Sequence, residues 1–133
     1  PQLFTVESWR VITDARAEDE ALSEATVKVT AAGERIVKTG EGNGPVNALD
    51  HALREALATA YPQIAGLELV DYKVRILDAA HGTDAVTRVL IETSDGSTTW
   101  STIGVAANIL EASWDALVES VTYGLVRAGV TPR

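Results

Sequence analysis

Apolar and polar residues alternate with a period of two in several short stretches, then switch to a helical period, and the switch happens twice. Leu3 to Thr13 (LFTVESWRVIT) is rich in β-branched and aromatic types and predicts a strand. Ala25 to Ala32 sets Val27 and Val29 against Thr26, Lys28 and Thr30, a half-buried strand. Between them, "DARAEDEALSE" is charged and reads as a loop. "AAGE" is a turn, and Arg35 to Thr39 a short third strand. A glycine-rich stretch then runs into Val46, Leu49, Leu53 and Leu57, the stripe of an amphipathic helix over about Pro45 to Ala60. Tyr61-Pro62 should end it, because a residue preceding proline is pushed out of the helical region.

The second half repeats this order. Leu67 to Leu77 places Val70, Tyr72, Val74 and Ile76 on one face and Asp71, Lys73 and Arg75 on the other. "AAHGTD" is a turn, Ala85 to Thr93 a strand, "SDGS" a hairpin turn and Thr98 to Ile103 another strand. A longer helix is expected from about Val105 to Arg127, with Leu110, Trp114, Leu117, Val121 and Leu125 in one stripe. Asn47-Ala48-Leu49-Asp50 aligns over Asn108-Ile109-Leu110-Glu111, and Leu53 over Trp114. The expected fold is α+β: two pseudo-symmetric βββα units, about 3–62 and 66–130, with antiparallel sheets packed on helices. A single unit leaves a face it cannot cover, so two together are economical.

Composition narrows the function. The 133 residues suit one domain, and 46% hydrophobic with 23% charged residues is globular. A net charge of −8 repels nucleic acid and anionic membranes, so neither is an expected partner. With no cysteine there is no disulfide framework and no thiol nucleophile. No apolar run approaches the roughly 20 residues that span a bilayer. The lack of cysteine fits a cytoplasmic origin, and a start at Pro1 directly before strand-like sequence suggests a piece excised from a larger protein.

Candidate chemistry is sparse. His51 falls on the charged face of the first helix beside Asp50 and Arg54, and His81 in a turn; they have no metal-pair spacing. Glu18-Asp19-Glu20 are adjacent, so their carboxylates point apart. Glu92 and Asp95 flank a turn. Trp9, Trp100 and Trp114 lie in patterned elements and read as packing residues. "GEGNGP" fails as a dinucleotide-binding G-x-G-x-x-G because Pro45 stands where the last glycine belongs. Gly42 and Gly44 permit positive φ and close backbone approach. Pro45 fits the first helical turn. The N–H groups of Val46 and Asn47 then point out of a helix end suited to a carboxylate or phosphate. The same residues also fit a plain tight turn with Asn43 as cap.

"GNGPVNALDHALREAL", "LVDYKVRILDAAHGTDAVTRVLIE" and "WSTIGVAANILEASWDALVESVTYGL" together resemble the C-terminal regulatory domain of the 2-isopropylmalate synthase and citramalate synthase family. "DYKVRILD…GTDAVTRV" is closer to the citramalate branch. The resemblance implies a domain of two βββα units that forms a homodimer and binds the pathway's end-product amino acid. That effector inhibits a catalytic barrel elsewhere in the same chain. By position, the implied effector-binding residues are Gly42, Asn43, Gly44, Val46 and Asn47. Leu69, Tyr72, Ile76, Ala85, Thr87 and, at the start of the second helix, Val105 complete the set. Asp71 and loop carbonyls are candidate acceptors for the ammonium. Asn47 and Thr87 replace small apolar residues found in some leucine-responding relatives. The expected effector is a branched-chain amino acid, isoleucine; leucine, or a dimerisation module without a ligand, are the alternatives. No cofactor is expected in this stretch. The divalent metal and the acetyl-CoA-dependent condensation would belong to the catalytic domain.

Overall fold

A computed structural model describes residues 2–14, 22–77 and 86–131. Three strands, β1 (Phe4–Asp14), β2 (Leu22–Ala31) and β3 (Glu34–Gly42), are followed by helix α1 (Pro45–Leu57) and a 3-10 turn at Pro62–Gly66. The order then recurs as β4 (Glu68–Leu77), β5 (Val86–Ser94), β6 (Thr99–Ala106) and helix α2 (Ile109–Arg127). Each sheet is antiparallel, ordered β1-β2-β3 in the first and β4-β5-β6 in the second. This is the expected α+β fold of two βββα units. The chain divides into two compact units, residues 1–65 with 128–133, and residues 66–127.

In the first unit the period-two pattern of β2 sends Ala25, Val27, Val29 and Ala31 to the helix side, where all are buried. Val46, Leu49, Leu53 and Leu57 of α1 meet them and are buried too. Each such aliphatic side chain contributes about 1.5–3 kcal/mol by leaving water. Tyr61 is buried, and its hydroxyl donates to the Leu3 carbonyl at 2.5 Å. Its N–H also bonds the Leu57 carbonyl at 2.8 Å, one last helical-type bond across the turn at 58–60, while α1 itself ends at Leu57 rather than running to Ala60. Asp50, expected on a solvated face, is 6% exposed and pairs with Arg54 at 2.9 Å. The second unit matches this with Val89 and Ile91 of β5 against Leu117, Val121 and Leu125 of α2.

Two expectations about register are corrected. β1 and β4 each carry a bulge, between Val6 and Ser8 and between Leu69 and Asp71. Val70 is therefore the extra residue of β4, and Leu69, opposite Thr93, takes the helix-side place that simple alternation gave to Val70. The repeat also aligns differently. Gly40 and Gly104 are the points of closest strand–helix approach in their units. A Cβ on Gly40 would meet the Ala52 nitrogen at 2.5 Å, and one on Gly104 the Ala116 nitrogen at 3.0 Å. Ala52 thus corresponds to Ala116 and Leu53 to Leu117, not to Trp114.

Candidate functional site

The glycine stretch does two different jobs. Gly40 and Gly42 belong to β3 itself, which runs on to Gly42 instead of ending at Thr39. A Cβ on Gly42 would lie 2.7 Å from Asn47 Cβ and 2.8 Å from the Ala48 nitrogen. The close approach at Gly42 is therefore made by α1. Neither Gly42 nor Gly44 has the positive φ that the sequence allowed. Gly44 is extended, at φ −169° and ψ 167°, and a Cβ there meets nothing within 4 Å.

Gly44 is the N-cap of α1, and its carbonyl accepts the Ala48 N–H at 3.1 Å. Pro45 opens the first turn, as expected. No side chain caps this end, and no acidic residue lies in its first turn. Asn43, the candidate cap, instead accepts a hydrogen bond from the Asn47 side-chain amide. His51 is exposed, but its Nδ1 donates to the Glu41 carbonyl at 2.6 Å and ties α1 to the end of β3.

The start of α2 is the counter-example within the same chain. It begins at Ile109, because β6 continues through Ala106 and Asn108 caps the helix. Asn108 Oδ1 accepts the Glu111 N–H at 2.9 Å, and the Asn108 carbonyl accepts the Ala112 N–H at 3.2 Å. Glu111 adds a carboxylate to the first turn. The α2 end is thus satisfied by its own residues, whereas among the described residues no side chain caps the donors and partial positive charge of the α1 end. The Asn108-x-x-Glu111 spacing is a start signal that apolar periodicity alone overlooks.

The expected site residues fall into two groups. Gly42, Asn43, Gly44, Val46 and Asn47 come together at the β3–α1 junction of the first unit. In the second unit, Leu69, Tyr72, Ile76 and Thr87 share the helix-side face of the sheet. Leu69 opposes Thr93, Tyr72 opposes Ile91, and Ile76 is paired directly with Thr87. The end of this strip is open, with Ile76 71% exposed. Val105 is not at a helix start; it lies on β6, opposite Arg88, on the other face of that sheet. Asp71 also sits on that other face, opposite Glu92, where it accepts the Tyr72 N–H at 2.8 Å. Ala85, His81 and the acidic run Glu18-Asp19-Glu20 lie outside the described residues. Among the described residues no group of three His, Asp or Glu is placed to hold a metal ion, and no helix is long and apolar enough to cross a membrane.

The family model described as the LeuA allosteric (dimerisation) domain matches residues 1–125. The chain is 62% identical over 129 residues to an (R)-citramalate synthase of Streptomyces coelicolor, covering 97% of this chain and 24% of that protein. It is 55% identical over 127 residues to the (R)-citramalate synthase of Synechocystis, covering 92% of this chain and 23% of that protein. A 2-isopropylmalate synthase of Ruminiclostridium cellulolyticum is 26% identical over 129 residues, covering 97% of this chain and 23% of that protein. The chain thus spans about a quarter of the length of these relatives.

Proposed function

The chain belongs to the LeuA allosteric (dimerisation) domain family, and on that premise we propose that it is the effector-binding, dimerising part of a citramalate synthase-like enzyme. The parent activity in this reading condenses acetyl-CoA with a 2-oxo acid, and its divalent metal belongs to a catalytic domain outside this stretch. The effector is isoleucine, acting as a feedback inhibitor of branched-chain amino-acid biosynthesis in the cytoplasm. The much higher identity to citramalate synthases than to the 2-isopropylmalate synthase supports the isoleucine branch over the leucine one.

The observation that carries the reading is the unfilled N-terminus of α1. An amino acid brings a carboxylate. The N–H groups of Val46 and Asn47 and the helix dipole suit it, and Gly44 leaves the approach open. Leu69, Tyr72, Ile76 and Thr87, in the second unit, stay in the proposed effector-binding set on the resemblance. Ala85 and Val105 stay in the proposed set on the resemblance alone. A pure dimerisation module would have no use for an uncapped, unobstructed helix end. The test is a thermal-shift comparison of the chain with and without isoleucine. A rise in melting temperature that saturates with concentration supports the reading, and no shift at any concentration overturns it.

A further inference from the structure

Two dipeptides of the chain place glycine after an acidic or amide side chain, Asn43-Gly44 and Asp95-Gly96. In such a pair the glycine nitrogen can attack the carbonyl carbon of the preceding side chain. Glycine has no side chain to hinder the approach, and its backbone bends freely. The structure closes one of these pairs and leaves the other open.

The Asp95 carboxylate accepts the N–H groups of Ser97 and Thr98 at 3.0 and 2.8 Å, and the Gly96 N–H donates to the Ser94 hydroxyl at 3.0 Å. Both reacting groups are held. The other two asparagines are held as well. Asn47 lies within α1, where the N–H that follows it, that of Ala48, bonds the Gly44 carbonyl at 3.1 Å. Asn108 is fixed as the cap of α2 and precedes the β-branched Ile109. Asn43 is exposed, between β3 and α1. Among the described residues the Gly44 N–H donates no hydrogen bond, and a Cβ on Gly44 meets nothing within 4 Å. The Asn47 side-chain amide donates to Asn43 Oδ1, the oxygen that gathers negative charge when the carbonyl is attacked. The partial positive charge of the α1 end favours the anionic nitrogen that attacks.

We propose that Asn43-Gly44 is a site of spontaneous deamidation, which turns the neutral amide at the β3–α1 junction into a carboxylate. The Gly44 nitrogen bonds to Asn43 Cγ, and the Cγ–Nδ2 bond breaks. The side-chain nitrogen leaves as ammonia, taking the proton of the Gly44 N–H. Water then opens the cyclic imide at either carbonyl, leaving aspartate or isoaspartate at position 43. The net change consumes water, releases ammonia and needs neither an enzyme nor an oxidant. One consequence rests on the effector reading: the new carboxylate stands beside the donors of Val46 and Asn47 and opposes the carboxylate of an amino acid.

The test is incubation of the fresh chain at neutral to mildly alkaline pH, folded and in urea, with peptide mapping by mass spectrometry. In the folded chain, position 43 should acquire the amide-to-acid mass gain several-fold faster than positions 47 and 108. Asn47→Ala should slow the reaction at 43 in the folded chain and leave the rate in urea unchanged. That difference separates activation by the fold from the chemistry of the bare dipeptide, and equal folded rates would overturn the part given to Asn47. Gly44→Ala, which the open space accommodates, should slow the reaction in both states. An Asn43 that stays intact in the folded chain while reacting in urea would overturn the proposal. Matched isoleucine titrations of the fresh chain and Asn43→Asp test the consequence. Weaker binding by the variant supports it, and equal affinity overturns it. No binding by the fresh chain would refute the effector reading, and the consequence with it, while the mapped deamidation stands.

Discussion

Gly104 lies so close beneath Ala112 that a Cβ on it would stand 1.9 Å from the Ala112 carbonyl oxygen. That is backbone against backbone, and no rotamer change relieves it. Thr102 makes the same seam polar by donating to the Ala116 carbonyl at 2.7 Å. Gly104→Ala should therefore cost about 1–3 kcal/mol or more, the range for an overpacked core. Gly66→Ala, where a Cβ meets nothing within 4 Å, should stay within about 0.5 kcal/mol. Urea unfolding followed by tryptophan fluorescence checks both.

Gly42 and Gly44 stand two residues apart and should behave oppositely. Gly42→Val forces β3 off α1 and should unfold the first unit or greatly weaken it. Gly44→Val has space and an extended backbone that a β-branched residue adopts readily, so the fold should survive. Its side chain would stand at the α1 N-terminus and block the proposed carboxylate site. The expected result is a near-native circular dichroism melt for Gly44→Val together with loss of isoleucine binding. Undiminished binding would show that the junction is a turn and nothing more.

These two glycines also mark how far the sequence could be read. The period-two and helical stripes revealed both βββα units, because one buried face per element leaves a plain pattern in Val27, Val29, Leu49 and Leu53. The bulges at Glu7 and Val70 left no such mark, since a one-residue insertion simply swaps which parity faces the helix. Val105 looked like a helix start because apolar residues continue without a break from β6 into α2. Only the Asn108 cap, a single hydrogen-bonding side chain, separates the two. The glycines at 40, 42 and 44 are alike as letters. What distinguishes them is whether a helix lies against them, which is a tertiary fact.

Asp95 offers a pH test. Its carboxylate accepts the N–H groups of Ser97 and Thr98 at 3.0 and 2.8 Å, the Ser97 hydroxyl, and Arg127 Nε at 3.2 Å. These bonds, the two backbone ones foremost, hold its pKa far below the usual carboxylate range. A depressed folded-state pKa means that its stabilisation is complete above the unfolded value of about 4 and fades as pH falls below it. Asp95→Asn should be less stable than the parent at pH 7. The gap in urea midpoint should hold down to about pH 5 and narrow towards pH 3. A gap that stays constant throughout would contradict this account of the turn.

The family's dimerisation and the exposed apolar residues Val74 and Ile76 of β4 lead to an expected homodimer. A closed twofold pair is the commonest arrangement for such chains. Sedimentation equilibrium at micromolar concentration should return twice the chain mass, and a monomer alone would count against it.

The central claim is that this chain recognises a branched-chain amino acid and prefers isoleucine. The two candidate ligands have the same atoms and differ in where one methyl branches. A difference of that size in an apolar pocket is worth about 1–3 kcal/mol, or roughly 10- to 200-fold. Matched calorimetric titrations of isoleucine and leucine into the chain measure it directly. Saturable binding of isoleucine, roughly tenfold or more tighter than leucine, is the predicted result. Tighter binding of leucine would move the chain to the isopropylmalate branch, and no heat with either amino acid would contradict the effector-binding account itself.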